Sequence, residues 1–247
     1  MQEEEKWLSQ NATESERNTI LQILREFRPQ QTLIKAGITD INEESFSTLC
    51  CERYTNNFLI DGYLYHIVKE NGGNSINSKV ISLPSQCLIW VKQNSTFLQR
   101  KLQEYLHPMD LKVIEIFLLP VNIDNWHWGL LVIDVKSETL YFDDGLKVPP
   151  PATLKEDTKV LLDALAQVNN FPIKSLRSCF WRNEINFRRF NMPQQPATGV
   201  GSSSCGVGVI LAGEDIARGN MVMSWNFTNM GHFRKYLLSK MVCWMKL

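Results

Sequence analysis

Three apolar, β-rich runs stand in the middle of this chain, at residues 113–119, His127–Asp134 and Thr139–Asp143. The last two flank a short Lys136-Ser137-Glu138 turn, and that spacing predicts adjacent core strands. Helical patterns lie on both sides. Toward the N-terminus a polar leader gives way to a helix, where Thr13 and Glu16 fit a capping box and Ile20, Ile23, Leu24 and Phe27 recur at helical spacing. A short helix is expected over 42–49, a longer one from Phe58 through Val68, and then a turn at Asn71-Gly72-Gly73-Asn74. Toward the C-terminus, Pro149-Pro150-Pro151 breaks the chain, and Thr153 with Glu156 is expected to cap a helix that turns Val160, Leu161, Leu165 and Val168 inward. A further strand is expected over 184–190, a buried helix from Gly206 through Ile216 ended by Gly219, and a closing amphipathic helix over 233–241. Strands between helical ends predict an α+β fold.

A length of 247 residues accommodates one large domain, and no repeat, low-complexity run or long Gly/Ser linker divides it. The expected organisation is an N-terminal helical arm over 1–31 and a single body over 32–247. Twenty-six Lys plus Arg balance 26 Asp plus Glu, so no global field argues for nucleic acid or a membrane surface as partner. The chain opens Met-Gln-Glu-Glu-Glu-Lys, unlike a signal peptide, and it lacks the roughly 18 consecutive apolar residues of a membrane span. The expected location is therefore the cytoplasm or nucleus. Six cysteines (50, 51, 87, 179, 205 and 243) show no CxxC spacing, which predicts reduced thiols, no structural zinc and no disulfide framework. No metal or cofactor is expected. Glycosylation-type triplets at Asn11, Asn94 and Asn226 are assigned no function.

Thiol chemistry needs a thiolate, a base that takes and returns its proton, and a group that holds that base in the right tautomer. Cys205 follows a Gly/Ser-rich loop and opens an expected helix, whose positive end favours ionised sulfur. His127 starts one expected strand and Asp143 ends its neighbour, where a carboxylate could accept from the imidazole. Each residue alone has a bland explanation: a Cys-Gly pair opening an apolar helix is usually a small buried hydrophobe. Their order along one chain makes them a candidate triad. His66, His107, His232 and the other five cysteines lack such surroundings and are read as structural.

The same residues carry a family resemblance. Pro120-Val121-Asn122, His127-Trp128-Gly129-Leu130-Leu131-Val132-Ile133-Asp134 and Tyr141-Phe142-Asp143 resemble the central signature of the ubiquitin-like-protein-specific (sentrin/SUMO-specific, Ulp-type) cysteine proteases. Phe58-Leu59-Ile60-Asp61 is similar to that family's Trp-Leu-x-Asp, and Met192-Pro193-Gln194-Gln195, Cys205-Gly206-Val207, Ala217-Arg218-Gly219 and the stretch 227–234 resemble the end of its catalytic domain. The resemblance spans roughly residues 38 to 245 and is specific as a set. It implies a papain-like α+β core with a mostly antiparallel central sheet flanked by helices. It also implies that Cys205 is the nucleophile, His127 the general base and acid, Asp143 the residue that orients His127, and Gln195 an oxyanion donor beside the Cys205 backbone N–H. Trp128 and Phe58 would form an aromatic lid over a groove narrow enough for a Gly-Gly tail, with Asp61 among the substrate-binding residues.

The implied activity is cysteine peptidase cleavage after the C-terminal Gly-Gly of a ubiquitin-like modifier, SUMO first and a Nedd-like modifier or ubiquitin next, by a monomer without nucleic-acid or membrane partners. Two other readings are carried: a catalytically weak binding module for such a modifier, and a Gly-Gly polyprotein-processing peptidase of viral or mobile-element type. The sequence departs from the family at named points. Gln195 lies further from Cys205 than the family spaces its glutamine, and Gly199 occupies the usual position. Ser204 precedes the nucleophile where Asp or Asn is common, and Phe58 stands for the lid tryptophan. An ungapped count from His127 lands the acid on Asp144, whereas the Tyr-x-Asp register and strand alternation favour Asp143; Asp143 is assigned, with Asp144 as the alternative.

Overall fold

A computed structural model describes residues 2–28, 30–72, 79–107, 113–168, 185–199 and 201–245. Gly73 and Asn74 of the expected turn, residue 184 of the expected strand, and Cys179 lie outside the described residues. Helices α1 (Gln2–Asn11), α2 (Glu14–Glu26), α3 (Glu43–Ser47), α4 (Asn57–Gly72), α5 (Cys87–Gln93) and α6 (Ser95–Leu106) precede the central strands, and α7 (Leu154–Gln167), α8 (Cys205–Ala217) and α9 (Met230–Met245) follow them. Strands β1 (Thr32–Ile34) and β2 (Ile41–Asn42) make a small antiparallel pair. The main sheet holds β3 (Val80–Ser82), β4 (Ile116–Ile123), β5 (His127–Asp134), β6 (Thr139–Asp143) and β7 (Phe187–Arg188), side by side in that order.

The long pairings, β4 with β5 and β5 with β6, are antiparallel, and short parallel pairings close the two edges. The expected α+β architecture with its mostly antiparallel centre is what the chain forms. Strand β5 is buried along nearly its whole length because both faces of the sheet are covered. Trp128, Leu130 and Val132 point into one core with α4 and α8, while Leu131 and Ile133 point into a second core with α5, α6 and α7. Strand β4 runs past the expected end at 119 and takes in Pro120. Its β3 partner reaches only to Leu118, so Pro120 has no ladder neighbour on that side that would need its missing N–H.

The capping box at Thr13 and Glu16 forms as expected, with Thr13 N and Oγ1 donating to Glu16 Oε2 at 2.8 Å each. The polar leader before it is helical too. Its first turn carries Glu3, Glu4 and Glu5 at the positive end of the helix, and Leu8 is fully buried. With Ile20, Leu21, Ile23 and Leu24 it joins the same core as α9, so the arm packs into the body. Two local expectations change. Thr153 makes no side-chain cap; the Leu154 amide is instead satisfied by the Pro151 carbonyl at 2.9 Å. Val160 points outward, because the buried stripe of α7 runs through Leu154, Thr158, Leu161, Leu162 and Leu165.

Candidate active site

The site forms where the start of α8 meets the open end of the β5–β6 pair. Helix α8 is buried from Cys205 to Ile216, and small residues on its surface admit its neighbours. A Cβ on Gly206 would fall 1.9 Å from Thr55 Oγ1, and one on Gly213 would fall 2.3 Å from a Leu64 methyl of α4. The loop before the helix is equally tight: Gly201 has φ +85°, and a side chain there would meet the Phe227 carbonyl at 2.5 Å. This packing fixes Cys205 as the first residue of α8, where the opening N–H groups have no intrahelical acceptor. Burial pushes the Cys205 thiol up, while the backbone N–H groups of Trp128, Gly206 and Cys205 and the charge of Arg234 pull it down. The Trp128 N–H that acts on the sulfur belongs to the residue after His127 in β5.

His127 is buried at the start of β5. Its Nε2 lies 2.9 Å from the Asp144 carbonyl oxygen and 3.7 Å from Asp144 Oδ2. Two oxygen acceptors at Nε2 hold the ring proton there, which leaves the lone pair on Nδ1 as the available base. Burial lowers the His127 pKa, and Asp144 opposes that.

Of the two candidate acids, the structure brings Asp144, the alternative, to His127. Leu130 pairs with Asp143 across β5 and β6, so Asp143 shares a face with the even-numbered residues of β5. Asp144, opposite Gly129, shares the face of His127, two residues along. Gly129 makes the approach possible: a Cβ there would lie 2.7 Å from the Phe142 ring and 3.2 Å from the Asp144 Cβ. Asp144 Oδ1 accepts from the Leu146 N–H at 3.0 Å, and Oδ2 is buried without a hydrogen-bond partner, so that oxygen is left to the imidazole. Asp143 does a different job. It accepts from the Gly145 N–H at 3.2 Å and the Met192 N–H at 3.1 Å, tying the end of β6 to the segment that leads to Gln195.

Gln195 is buried near the nucleophile loop. Its N–H bonds the Gly145 carbonyl at 2.9 Å, its side-chain Nε2 donates to the Ser202 carbonyl, and its Oε1 has no partner. The longer approach to Cys205 thus still brings Gln195 to the site, with one side-chain N–H used by the loop itself.

The substrate-side assignments divide. Trp128 is buried, and its indole N–H donates to the Thr55 carbonyl at 3.2 Å. It forms part of the wall of a cavity of about 480 Å³, together with Asn57, Ser85, Gln86, Ile89 and Asn125. Phe58 stands 42% exposed on the first turn of α4, and among the described residues no ring contact joins it to Trp128, so the aromatic lid is not closed. Asp61 is buried and accepts from the Ser85 N–H at 2.9 Å and the Ser85 hydroxyl at 2.8 Å. From the second turn of α4 it braces the loop that enters α5. Burial raises its pKa to about 7, against the opposing bonds from Ser85.

Sequence reasoning missed two residues at this site. Trp126 is 60% exposed, with its ring centroid 5.3 Å from that of His127. Arg234 is fully buried on α9 and donates to Ser204 Oγ from Nη2 at 3.0 Å and from Nε at 3.3 Å. The signal for Arg234 was its spacing, since Leu237, Leu238 and Met241 follow at helical intervals and place it on the buried face of α9.

No family model matches the chain, and no curated protein matches it in sequence. Solved structures do match in shape. The C-terminal ULP1 protease domain in complex with SMT3, the yeast ortholog of SUMO, superposes with a TM-score of 0.71 at 16% identity, over 94% of this chain and 96% of that one. The chain has the Ulp1 protease fold. The catalytic domain of the Chaetomium thermophilum Ulp1-like SUMO protease shares it, with a TM-score of 0.66 at 16% identity over 93% of this chain and 88% of that one. So does a de-sumoylating protease, at 0.62 and 16% identity over 88% and 92%. Within this fold, α8 begins with Cys205, β5 begins with His127, and Asp144 directly follows β6.

Proposed function

We propose that the chain is a cysteine peptidase that cleaves after the C-terminal Gly-Gly of a ubiquitin-like modifier, with a SUMO-like modifier as the first choice. The observation that carries this reading is the pairing of His127 with Asp144 at the start of β5, next to Trp128, whose N–H acts on the Cys205 sulfur, in a fold shared with Ulp1 SUMO proteases. In this mechanism His127 Nδ1 takes the Cys205 proton, and the thiolate adds to the carbonyl carbon of the terminal glycine. The oxyanion is met by the Cys205 backbone N–H and the second N–H of the Gln195 carboxamide. Imidazolium is stabilised by Asp144 Oδ2, which closes on Nε2 with a movement of about 1 Å. His127 then protonates the departing lysine amine, and water, deprotonated by His127, hydrolyses the thioester. The cavity beside Trp128 accommodates the modifier's tail, which leaves Phe58, Ile89 and Trp126 exposed around it for wider contact.

Electrophilic C-terminal probes built on SUMO, a Nedd-like modifier and ubiquitin test this by intact mass, beside a Cys205→Ala control. The expected result is an adduct with the SUMO probe that vanishes in the control. Adduct with another probe alone reassigns the modifier. No adduct with any probe on folded protein removes the deconjugating reading in favour of a binding module or a peptidase for unrelated Gly-Gly polyproteins.

A further inference from the structure

We propose that Arg234 is a positioning residue for the nucleophile: a buried guanidinium without a carboxylate partner, set behind Ser204, whose charge biases Cys205 toward its thiolate form. The inference rests on the reading of Cys205 as the nucleophile. Arg234 is completely buried, yet all its hydrogen bonds go to neutral oxygens. Nη1 donates to the Thr48 carbonyl at 2.9 Å, and Nη2 to the Arg53 carbonyl at 2.8 Å and the Ser203 carbonyl at 3.3 Å, besides the two bonds to Ser204 Oγ. Among the described residues no carboxylate lies within ion-pair distance of it. An isolated buried cation is costly, because no carboxylate offsets its desolvation. A charge kept at such cost next to the residue that precedes the thiol has a use when that thiol ionises.

The groups around the sulfur bear this out. From β5 the Trp128 N–H acts on it, from its own helix the Gly206 N–H, and from α9 the charge of Arg234. From the 50–52 segment Arg234 faces Cys50, Cys51 and Glu52. Burial pushes Cys50 up to about 12 and also raises Cys51, so both stay neutral thiols, and Glu52 is solvent-exposed and screened. Glu52 is the first charge acting on Arg234 and Cys205 the next, so negative charge appearing on the Cys205 sulfur is a buried charge for the guanidinium to balance. Burial lowers the Arg234 pKa to about 10, which leaves it cationic at neutral pH, whereas a lysine in this place would shed its proton far more readily.

The test reads the thiol itself, so it does not depend on finding the substrate. The pH dependence of Cys205 alkylation by iodoacetamide is followed by peptide mass in the wild type, Arg234→Met and Arg234→Lys, with thermal melting of each. The expected result is a midpoint raised by about one pH unit in Arg234→Met. Arg234→Lys, which retains charge at the lower end of the titration, shifts it less for a comparable loss of melting temperature. A folded Arg234→Met with the wild-type midpoint, or equal shifts in both variants, overturns the proposal and leaves Arg234 a packing residue. Should Arg234→Met not fold, Arg234→Gln, which keeps N–H donors for the surrounding carbonyls without the charge, carries the test: a raised midpoint supports the proposal, and the wild-type midpoint in a folded protein overturns it.

Discussion

At the residue scale, neighbouring aspartates on one strand end divide two jobs, and substitution separates them. Asp144→Asn removes the charge that meets imidazolium, so kcat on a modifier substrate should fall by about 10–100-fold while the melting temperature changes little. Asp143→Asn weakens two bonds from buried N–H groups, at about 1–3 kcal/mol, and should lower the melting temperature by several degrees with the smaller effect on kcat. Steady-state kinetics and thermal melts on the two proteins check both. Asp61 gives a pH signature. Its folded pKa of about 7 lies above the unfolded value near 3.9, so between those values the folded state holds the extra proton and stability falls as pH rises. Asp61→Asn keeps an acceptor for Ser85 and removes that slope; urea unfolding at pH 5 and pH 8 should show the variant gaining on the wild type at pH 8 by on the order of 3 kcal/mol. The residue types of the site were legible in the sequence: a thiol before a helix, a histidine on a strand, acids on the next. Which acid was not, because one step along a strand reverses its face, and the pairing register that decides the face arises only when β5 and β6 meet. The surroundings of Asp61 were not legible for a related reason: its motif places it on α4 but says nothing of Ser85, which comes to it from another segment.

At the element scale the nucleophile helix is defined by what it lacks. Gly206 lets the first turn of α8 lie against Thr55, which in turn accepts the Trp128 indole N–H through its carbonyl. Gly206→Ala improves local helix propensity by about 1 kcal/mol but must push Thr55 aside. The expected outcome is a folded protein whose Cys205 alkylation slows and whose kcat falls at least about tenfold, checked by rapid alkylation and kinetics. Elements with a strong periodic pattern, such as β5, β6, α2 and α8, could be read from sequence, since burial on a face repeats at a fixed interval. The short elements were legible only in part: the strand expected over 184–190 shortens to β7, and β3 was not anticipated. Two residues of β7 and three of β3 hold their places only because the sheet offers them an edge.

At the scale of the whole molecule, the N-terminal arm shares its core with the final described helix. Leu8, Ile20, Leu21, Ile23 and Leu24 bury themselves beside Leu237, Leu238 and Met241. Each such side chain contributes about 1.5–3 kcal/mol, and five together rival the whole stability of an ordinary domain, about 5–15 kcal/mol. Deleting residues 1–31 should therefore yield protein that aggregates or melts without a cooperative transition, as followed by circular dichroism and light scattering. Composition placed the chain among single-domain proteins, yet it could not reveal this closure, because the arm's apolar stripe does not specify its partner. The buried guanidinium of α9 extends the point from space to time. While the chain is being made, the thiol and the imidazole emerge well before residue 234, so a nascent chain carries the reactive groups with nothing yet seated behind Ser204. Synthesis order thereby acts as a safety catch, delaying the arming of the thiol until the helix that carries Arg234 has folded into place.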